Sequence, residues 1–161
     1  MAASSLSWAQ PPAHPANPQI QNIVAQISSD SLLSYITRFT EFHTRHTFSD
    51  TTSDSVGIGA AMRWVQARGE SYDPGGHLSW EWFPWAGTFN GNSVTRNVLI
   101  ARAGGLPNDS ARYIIGGHLD SRTVNINDNT GLAPGADDNG SSCAALLEML
   151  RLLPDTLMHR V

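Results

Sequence analysis

The sequence element that most constrains the fold is a short apolar run that ends in two glycines and a histidine. Residues 112–117 (RYIIGG) are apolar and β-branched, and polar residues 108–110 precede them. This pattern predicts a buried strand. His118 and Asp120 follow directly. Because alternate residues of a strand share a face, both side chains are expected together at its C-terminal end. Open α/β sheets bind their ligands at that edge.

The His-x-Asp pair at this position has a chemical meaning. An imidazole binds zinc through one ring nitrogen, and a carboxylate that accepts from the other nitrogen fixes the tautomer and the ring orientation. The spacing therefore predicts His118 as a metal ligand and Asp120 as the residue that orients it. A His-x-Asp pair by itself is more often structural, so a second element is needed to favour the metal interpretation.

That second element is a glycine- and proline-rich loop, residues 133–140 (APGADDNG), which precedes a predicted helix over residues 141–153. Ser141 is the expected N-cap and Pro154 the expected stop. Asp137 thus lies just before a helix N-terminus, where its carboxylate can bridge two divalent ions. A lone Asp-Asp-Asn-Gly is usually a solvated turn. The strand, the His-x-Asp pair and this loop together favour a two-metal hydrolase site.

The two segments GGHLDSR and APGADDNGSSCAALLEMLR closely resemble the M28 family of zinc metallopeptidases, which includes leucyl-type aminopeptidases. The resemblance covers residues 20–154. It implies that His118 is a zinc ligand, that Asp120 holds His118, and that Asp137 bridges two Zn²⁺ ions. It also implies a peptide or aminoacyl substrate, whose N-terminal peptide bond is hydrolysed by a metal-activated water.

The remaining ligands of that family have no counterpart in the 161 residues. The family uses a Glu-Glu pair, whose first member is the general base, and a later acidic ligand and histidine. Glu148 is the only glutamate after Asp137, and His159 follows too closely. The sequence therefore predicts the N-terminal portion of such an enzyme, with zinc binding weak or absent and no activity of this chain alone. Alternatives are a truncated, non-catalytic protein with an interaction role, and a glutaminyl cyclase-like or amide hydrolase on the same scaffold.

The rest of the chain predicts an α/β fold with a mixed β-sheet flanked by helices, zinc-exopeptidase-like by resemblance and incomplete. Residues 1–18 are expected to be a disordered Ala/Ser/Pro-rich lead-in, and residues 19–161 the N-terminal part of the catalytic domain. Trp80 and Trp82 are expected to pack against a helix from one strand face. The predicted elements are helices over 19–27, from 30 or 31 to about 42, and from 52–54 to 68, with strands over 78–83 and 94–102.

Composition excludes two classes of partner. The formal net charge is −4, so no basic surface for nucleic acid is expected. No apolar run approaches the ~20 residues of a membrane span. The resemblance suggests a secreted or periplasmic protein, although no signal peptide is recognisable, and the compartment and oligomeric state stay open. Cys143, the single cysteine, is expected in the core rather than as a nucleophile. His43 and His46 are not expected to bind metal.

Overall fold

The architecture, taken from a computed structural model that describes residues 17–89, 91–103 and 114–157, combines helices with one β-hairpin. The predicted α/β class is confirmed. Most of the predicted lead-in, the start of the 112–117 run and His159 lie outside the described residues. The elements are α1 (Pro18–Val24), α2 (Ser29–Thr40), α3 (Gly57–Glu70), β1 (Leu78–Phe89), β2 (Asn92–Ala103), a π turn (Ala136–Ser141) and α4 (Ser142–Leu157).

Side-chain caps explain where α2 begins. Ser28 is the N-cap, and its hydroxyl accepts from the Ser31 backbone N–H at 3.1 Å. The helix therefore starts earlier than the predicted cap at Asp30 or Ser31, because a serine at the N-cap satisfies a backbone donor that the helix leaves free.

The predicted start of α3 is wrong. Thr52, Ser53 or Asp54 was expected to cap this helix, but Thr52 and Ser53 donate their backbone N–H to Asp50 Oδ1, at 2.6 and 3.0 Å. An aspartate whose side chain accepts from the backbone N–H groups two and three residues later forms a local turn, which competes with helix formation. The helix begins only at Gly57, where φ is 85°. A Cβ on Gly57 would lie 2.3 Å from the Asp50 carbonyl oxygen, so glycine is required there.

The hairpin of β1 and β2 is antiparallel, with register from Leu78 opposite Ala103 to Phe89 opposite Asn92. Both predicted strands are present and longer than predicted. Trp80 covers Gly69 of α3, where an added Cβ would meet its ring at 2.4 Å. The Trp82 indole N–H donates to Gln66 Oε1 at 2.5 Å. The two tryptophans therefore pack against a helix, as predicted, and fix the hairpin to α3.

The core lies between α2, α3 and α4. Trp64 of α3 is partly buried and packs against it, and its ring makes an edge contact with Phe39 at a centroid distance of 5.2 Å. The buried cluster consists of Tyr35, Phe39, Phe42, Ala60, Ala61, Cys143, Ala144 and Leu147. Its small residues allow the helices to approach closely. This packing places the first turn of α4, and the loop before it, beside the end of α2.

Two sequence-based expectations near the motifs are wrong. Residues 114–117, the described part of the predicted buried strand, form no regular secondary structure, and Ile114 is 96 % exposed. An apolar run becomes a strand only when a neighbouring strand pairs with its backbone, and the described sheet consists of β1 and β2 alone. Pro154 is not the stop of helix α4, which continues to Leu157. A proline inside a helix removes one backbone hydrogen bond, and here the helix continues without it.

Within the described ranges, no helix has both the length and the apolar character needed to cross a bilayer.

Candidate metal centre

The backbone of His118 is held against the start of α4. Cys143 Sγ donates to the His118 carbonyl oxygen at 3.4 Å. A Cβ added to the neighbouring Gly117 would lie 3.3 Å from the Ser142 Cβ, so this glycine lets the segment pass close to the helix. The His118 segment, although irregular, therefore has a defined position beside the loop that carries the aspartates.

The His118 ring lies between two carboxylates. Its Nδ1 is 3.1 Å from Asp120 Oδ1, and its Nε2 is 3.0 Å from Asp138 Oδ1. The other oxygen of Asp120, Oδ2, accepts from the Thr47 hydroxyl at 2.9 Å. The sequence-predicted pair is thus brought together, in the geometry that an orienting carboxylate requires.

The two consecutive carboxylates of the aspartate loop lie in different environments. Asp137 was the predicted bridging ligand; its side chain is exposed, and its carbonyl oxygen accepts from the Ser141 hydroxyl at 2.8 Å. The structure places Asp138, and not Asp137, at His118 Nε2. Asp138 has non-helical φ and ψ of −103° and 97° within the π turn, so consecutive side chains point differently. No sequence signal distinguishes the two aspartates; only the loop conformation does. Asp137 as a ligand stays a prediction.

The donor types fit zinc, but their number is short of a complete site. A catalytic zinc normally has three protein ligands and one open position. The site offers the His118 imidazole and the loop carboxylates of Asp137 and Asp138. Elsewhere in the described ranges, as here, no group of three or more His, Cys, Asp or Glu side chains is arranged to hold an ion. The residues present therefore fit one side of a zinc site.

Arg45 is a central residue that sequence reasoning missed. It follows α2 and is completely buried, with 0 % of its surface exposed. Its Nε donates to the Leu119 carbonyl at 2.8 Å, and its Nη2 to Gly135 at 2.9 Å. Its Nη1 donates to the carbonyls of Phe39 and Pro134, both at 2.7 Å. Burial lowers the pKa of Arg45 from its ordinary value. One side chain thus contacts both motif segments.

The two neighbouring histidines have backbone partners. His46 is buried; its Nδ1 accepts from the Phe48 N–H at 3.0 Å, so Nε2 is the nitrogen that donates to the Ile126 carbonyl at 2.9 Å. His43 Nε2 lies 3.0 Å from the Thr130 carbonyl oxygen. Both contacts hold the 123–131 loop and favour the structural interpretation of these histidines.

Glu148, the only glutamate after Asp137, also has a structural environment. It is 3 % exposed, and its Oε1 accepts from the Ser28 backbone N–H at 2.7 Å. Arg151 donates to the same carboxylate, at 2.6 Å from Nη2 and 2.9 Å from Nε. The carboxylate therefore connects α4 to the start of α2.

Cys143 is expected to resist alkylation in the folded protein. It is buried, and burial raises the pKa of its thiol to about 11. Only the thiolate is nucleophilic, so the native thiol should be inert at neutral pH. Iodoacetamide labelling followed by mass spectrometry should show slow modification in buffer and rapid modification in urea. Equal rates in the two conditions would contradict the placement of Cys143 in the core.

Comparisons with known proteins point to the same family as the two motifs. The model of Peptidase family M28 matches residues 97–161. A probable zinc metalloprotease of Pyrenophora tritici-repentis is 35% identical over 140 residues, which are 83% of this chain and 32% of the relative. One from Pyrenophora teres f. teres is 36% identical over 140 residues, 83% of this chain and 30% of the relative. Leucine aminopeptidase 1 of Blastomyces gilchristii is 34% identical over 140 residues, 84% of this chain and 32% of the relative.

The chain spans about a third of the length of these curated relatives. The segment that the family model matches contains His118, Asp120, Asp137 and Asp138. The resemblance drawn from the two motifs is confirmed: residues 97–161, which carry both of them, belong to peptidase family M28.

Proposed function

We propose that this chain is part of a zinc-dependent aminopeptidase that hydrolyses N-terminal peptide bonds. The observation that carries the proposal is the His118 ring, which has a carboxylate oxygen within 3.1 Å of one nitrogen and 3.0 Å of the other. Membership of the peptidase family supports the reaction class. The aminopeptidase specificity is supported by the name of one relative, leucine aminopeptidase 1.

The residues have distinct tasks in this proposal. His118 Nε2 and the loop carboxylates of Asp137 and Asp138 would hold zinc, which when bound polarises the scissile carbonyl and activates water at neutral pH. Asp120 accepts the Nδ1 proton of His118 and so keeps Nε2 available as a ligand. The Thr47 hydroxyl occupies the second oxygen of Asp120 and holds that carboxylate in place.

We further propose that the polypeptide of residues 1–161 has negligible peptidase activity by itself. A general base must take a proton from the attacking water, and such transfers typically contribute about 100- to 10,000-fold in rate. Glu148, the sole glutamate after the aspartate loop, is buried in a contact between helices. The described site therefore provides ligands and an orienting carboxylate without a base.

Zinc titration of the purified chain tests the ligand assignment. Nitrogen chemical shifts of the His118 ring, followed by NMR with zinc sulfate in excess, should move in the wild type, and His118→Ala should lose that response. His77→Ala is the matched control, since His77 is also exposed but lies outside both motifs. A His118 ring unaffected by excess zinc would overturn its role as a ligand.

The same preparations test activity. A leucyl-anilide assay with added zinc is expected to show no turnover above the His118→Ala background. Clear wild-type turnover that His118→Ala abolishes would contradict the proposed inactivity of the chain and support the aminopeptidase assignment. Turnover that survives in His118→Ala would indicate a contaminating peptidase.

A further inference from the structure

Arg45 is a buried cation that has carbonyl oxygens as partners where a carboxylate would be usual. Four carbonyl groups accept from its guanidinium, those of Phe39, Leu119, Pro134 and Gly135. Moving an ion of this size out of water is costly, even after the protein relaxes around it. The hydrogen bonds from the guanidinium to these carbonyl oxygens must offset that cost.

Most acceptors of Arg45 are backbone carbonyls that regular secondary structure leaves without a donor. The Gly135 carbonyl also accepts from the Gly140 N–H of the π turn at 3.0 Å. Leu119 and Pro134 lie in segments without helix or strand hydrogen bonds, and Phe39 lies in the last turn of α2. Carbonyl groups in such places have no partner from regular secondary structure, and leaving them buried and unpaired is costly. The guanidinium therefore donates hydrogen bonds to the backbone carbonyls of the two motif segments, as the N–H groups of a neighbouring strand do in a sheet.

Backbone contacts reinforce the same connection. Arg45 N–H donates to Ser121 Oγ at 3.0 Å, and Ser121 N–H donates to the Arg45 carbonyl at 3.2 Å. The Ser121 hydroxyl in turn donates to the Ala133 carbonyl at 2.6 Å. Ser121 directly follows Asp120, and Ala133 begins the aspartate loop. The residue before Arg45 pairs with the loop as well, through a parallel bridge between Thr44 and Ala133.

Gly135 shows how closely the loop approaches the guanidinium. Its φ is 50°, in the left-handed region that favours glycine. A Cβ there would lie 2.9 Å from Arg45 Nη2 and 2.5 Å from Ser121 Cβ. The loop is thus shaped to accept Arg45, and Asp137 and Asp138 follow within three residues.

We propose that Arg45 is the positioning residue of the metal centre, which sets the distance between the His118–Asp120 segment and the aspartate loop. This inference rests on the proposed function. A planar fork of five donors can reach acceptors on two segments at once, whereas a lysine ammonium is a point charge on a flexible stem. Arginine geometry, and not positive charge alone, is therefore required at this position.

The test compares Arg45→Lys with two controls in the full 161-residue chain. Arg38→Lys makes the same change at a partly exposed arginine of α2. Met62→Ala lowers stability through a buried residue of α3, outside both motif segments. The first readout is hydrogen exchange of the Ser121 and Ala133 amides, which donate to the Arg45 and His43 carbonyls. The second is the zinc concentration that half-saturates the His118 ring shift.

Arg45→Lys is expected to speed exchange at both amides about tenfold, the equivalent of one to two lost hydrogen bonds. It should raise the half-saturating zinc concentration about 10- to 100-fold, as loss of partners behind metal ligands does. Arg38→Lys should change neither readout, and Met62→Ala should lower the melting temperature without changing zinc binding. If Arg45→Lys does not fold, Arg45→Gln, which removes the buried charge but can still donate two hydrogen bonds, is measured with the same expectations.

Wild-type exchange at both amides in the Arg45 variant would overturn the inference. So would equal weakening of zinc binding by Arg45→Lys and Met62→Ala, because the effect would then follow stability alone. If the wild-type His118 ring does not respond to zinc, its proposed role as a ligand fails, and the exchange measurement still decides the role of Arg45.

Discussion

Phe39→Ala is expected to lower the free energy of unfolding by about 3–5 kcal/mol, the usual cost of removing a buried phenylalanine ring. Phe39 is 0 % exposed, and its ring packs edge-on against Trp64. The Arg45 guanidinium lies 5.4 Å from the same ring. The substitution leaves a cavity where α2, α3 and Arg45 meet, so it should also loosen the anchoring of both motif segments.

Urea unfolding followed by circular dichroism measures this effect. Phe83→Ala is the matched control, because Phe83 is 50 % exposed on the hairpin and should cost far less. Small domains have only about 5–15 kcal/mol of stability, so Phe39→Ala can remove the folded state altogether. Phe39→Leu, expected to cost about 1 kcal/mol, then provides the measurable step. Equal unfolding midpoints for Phe39→Ala and Phe83→Ala would contradict the described core.

Glu148→Ala is expected to cost about 2–4 kcal/mol, although Glu148 lies outside the metal centre. The substitution leaves the Ser28 N–H without its acceptor at 2.7 Å and removes the carboxylate 2.6 Å from Arg151, which keeps its hydrogen bond to the Gln26 carbonyl. Arg151 is partly exposed and recovers some hydration, which places the cost below that of a fully buried pair. Because Ser28 caps α2, the loss should appear as weaker docking of α2 on α4.

Glu41→Ala is the matched control for this prediction. Glu41 pairs with Arg38 at 2.8 Å and the same spacing of three residues, but Glu41 is exposed and Arg38 is partly exposed. Exposed pairs contribute about 0–1 kcal/mol, so urea unfolding should separate the two variants clearly. Similar losses for both would show that burial of Glu148 is not the source of its effect.

The effect of Glu148 should depend on pH. Hydrogen bonds from Arg151, and then from the Ser28 N–H, lower the pKa of Glu148 below its ordinary value. An acid with a lowered pKa in the folded state stabilises fully above its unfolded pKa of about 4.3 and loses that stabilisation as the pH falls through the folded value. The stability difference between wild type and Glu148→Ala should therefore be constant near neutral pH and shrink below about pH 4.

The elements that sequence reasoning predicted correctly are those with a strong local signal. The three N-terminal helices, the two strands of the hairpin and the helix after the aspartate loop are present, and Trp80 and Trp82 pack as expected. The errors lie where a distant or competing partner decides. Asp50 accepts from the backbone N–H groups of Thr52 and Ser53, two of the residues considered as caps of α3, and residues 114–117 have no described strand beside them.

The chemistry of the candidate site follows from the amino-acid sequence alone: an imidazole, a carboxylate two residues later, and two consecutive aspartates before a helix. These features are local, because they depend on residue type and spacing alone. The folded chain shows that Asp138 is the aspartate beside His118 Nε2, and that Arg45 is the residue that joins the two motifs. Arg45 lies more than 70 residues along the chain from Leu119 and Gly135. Every residue has a backbone carbonyl, so no sequence pattern indicates which carbonyls will accept hydrogen bonds from a buried guanidinium.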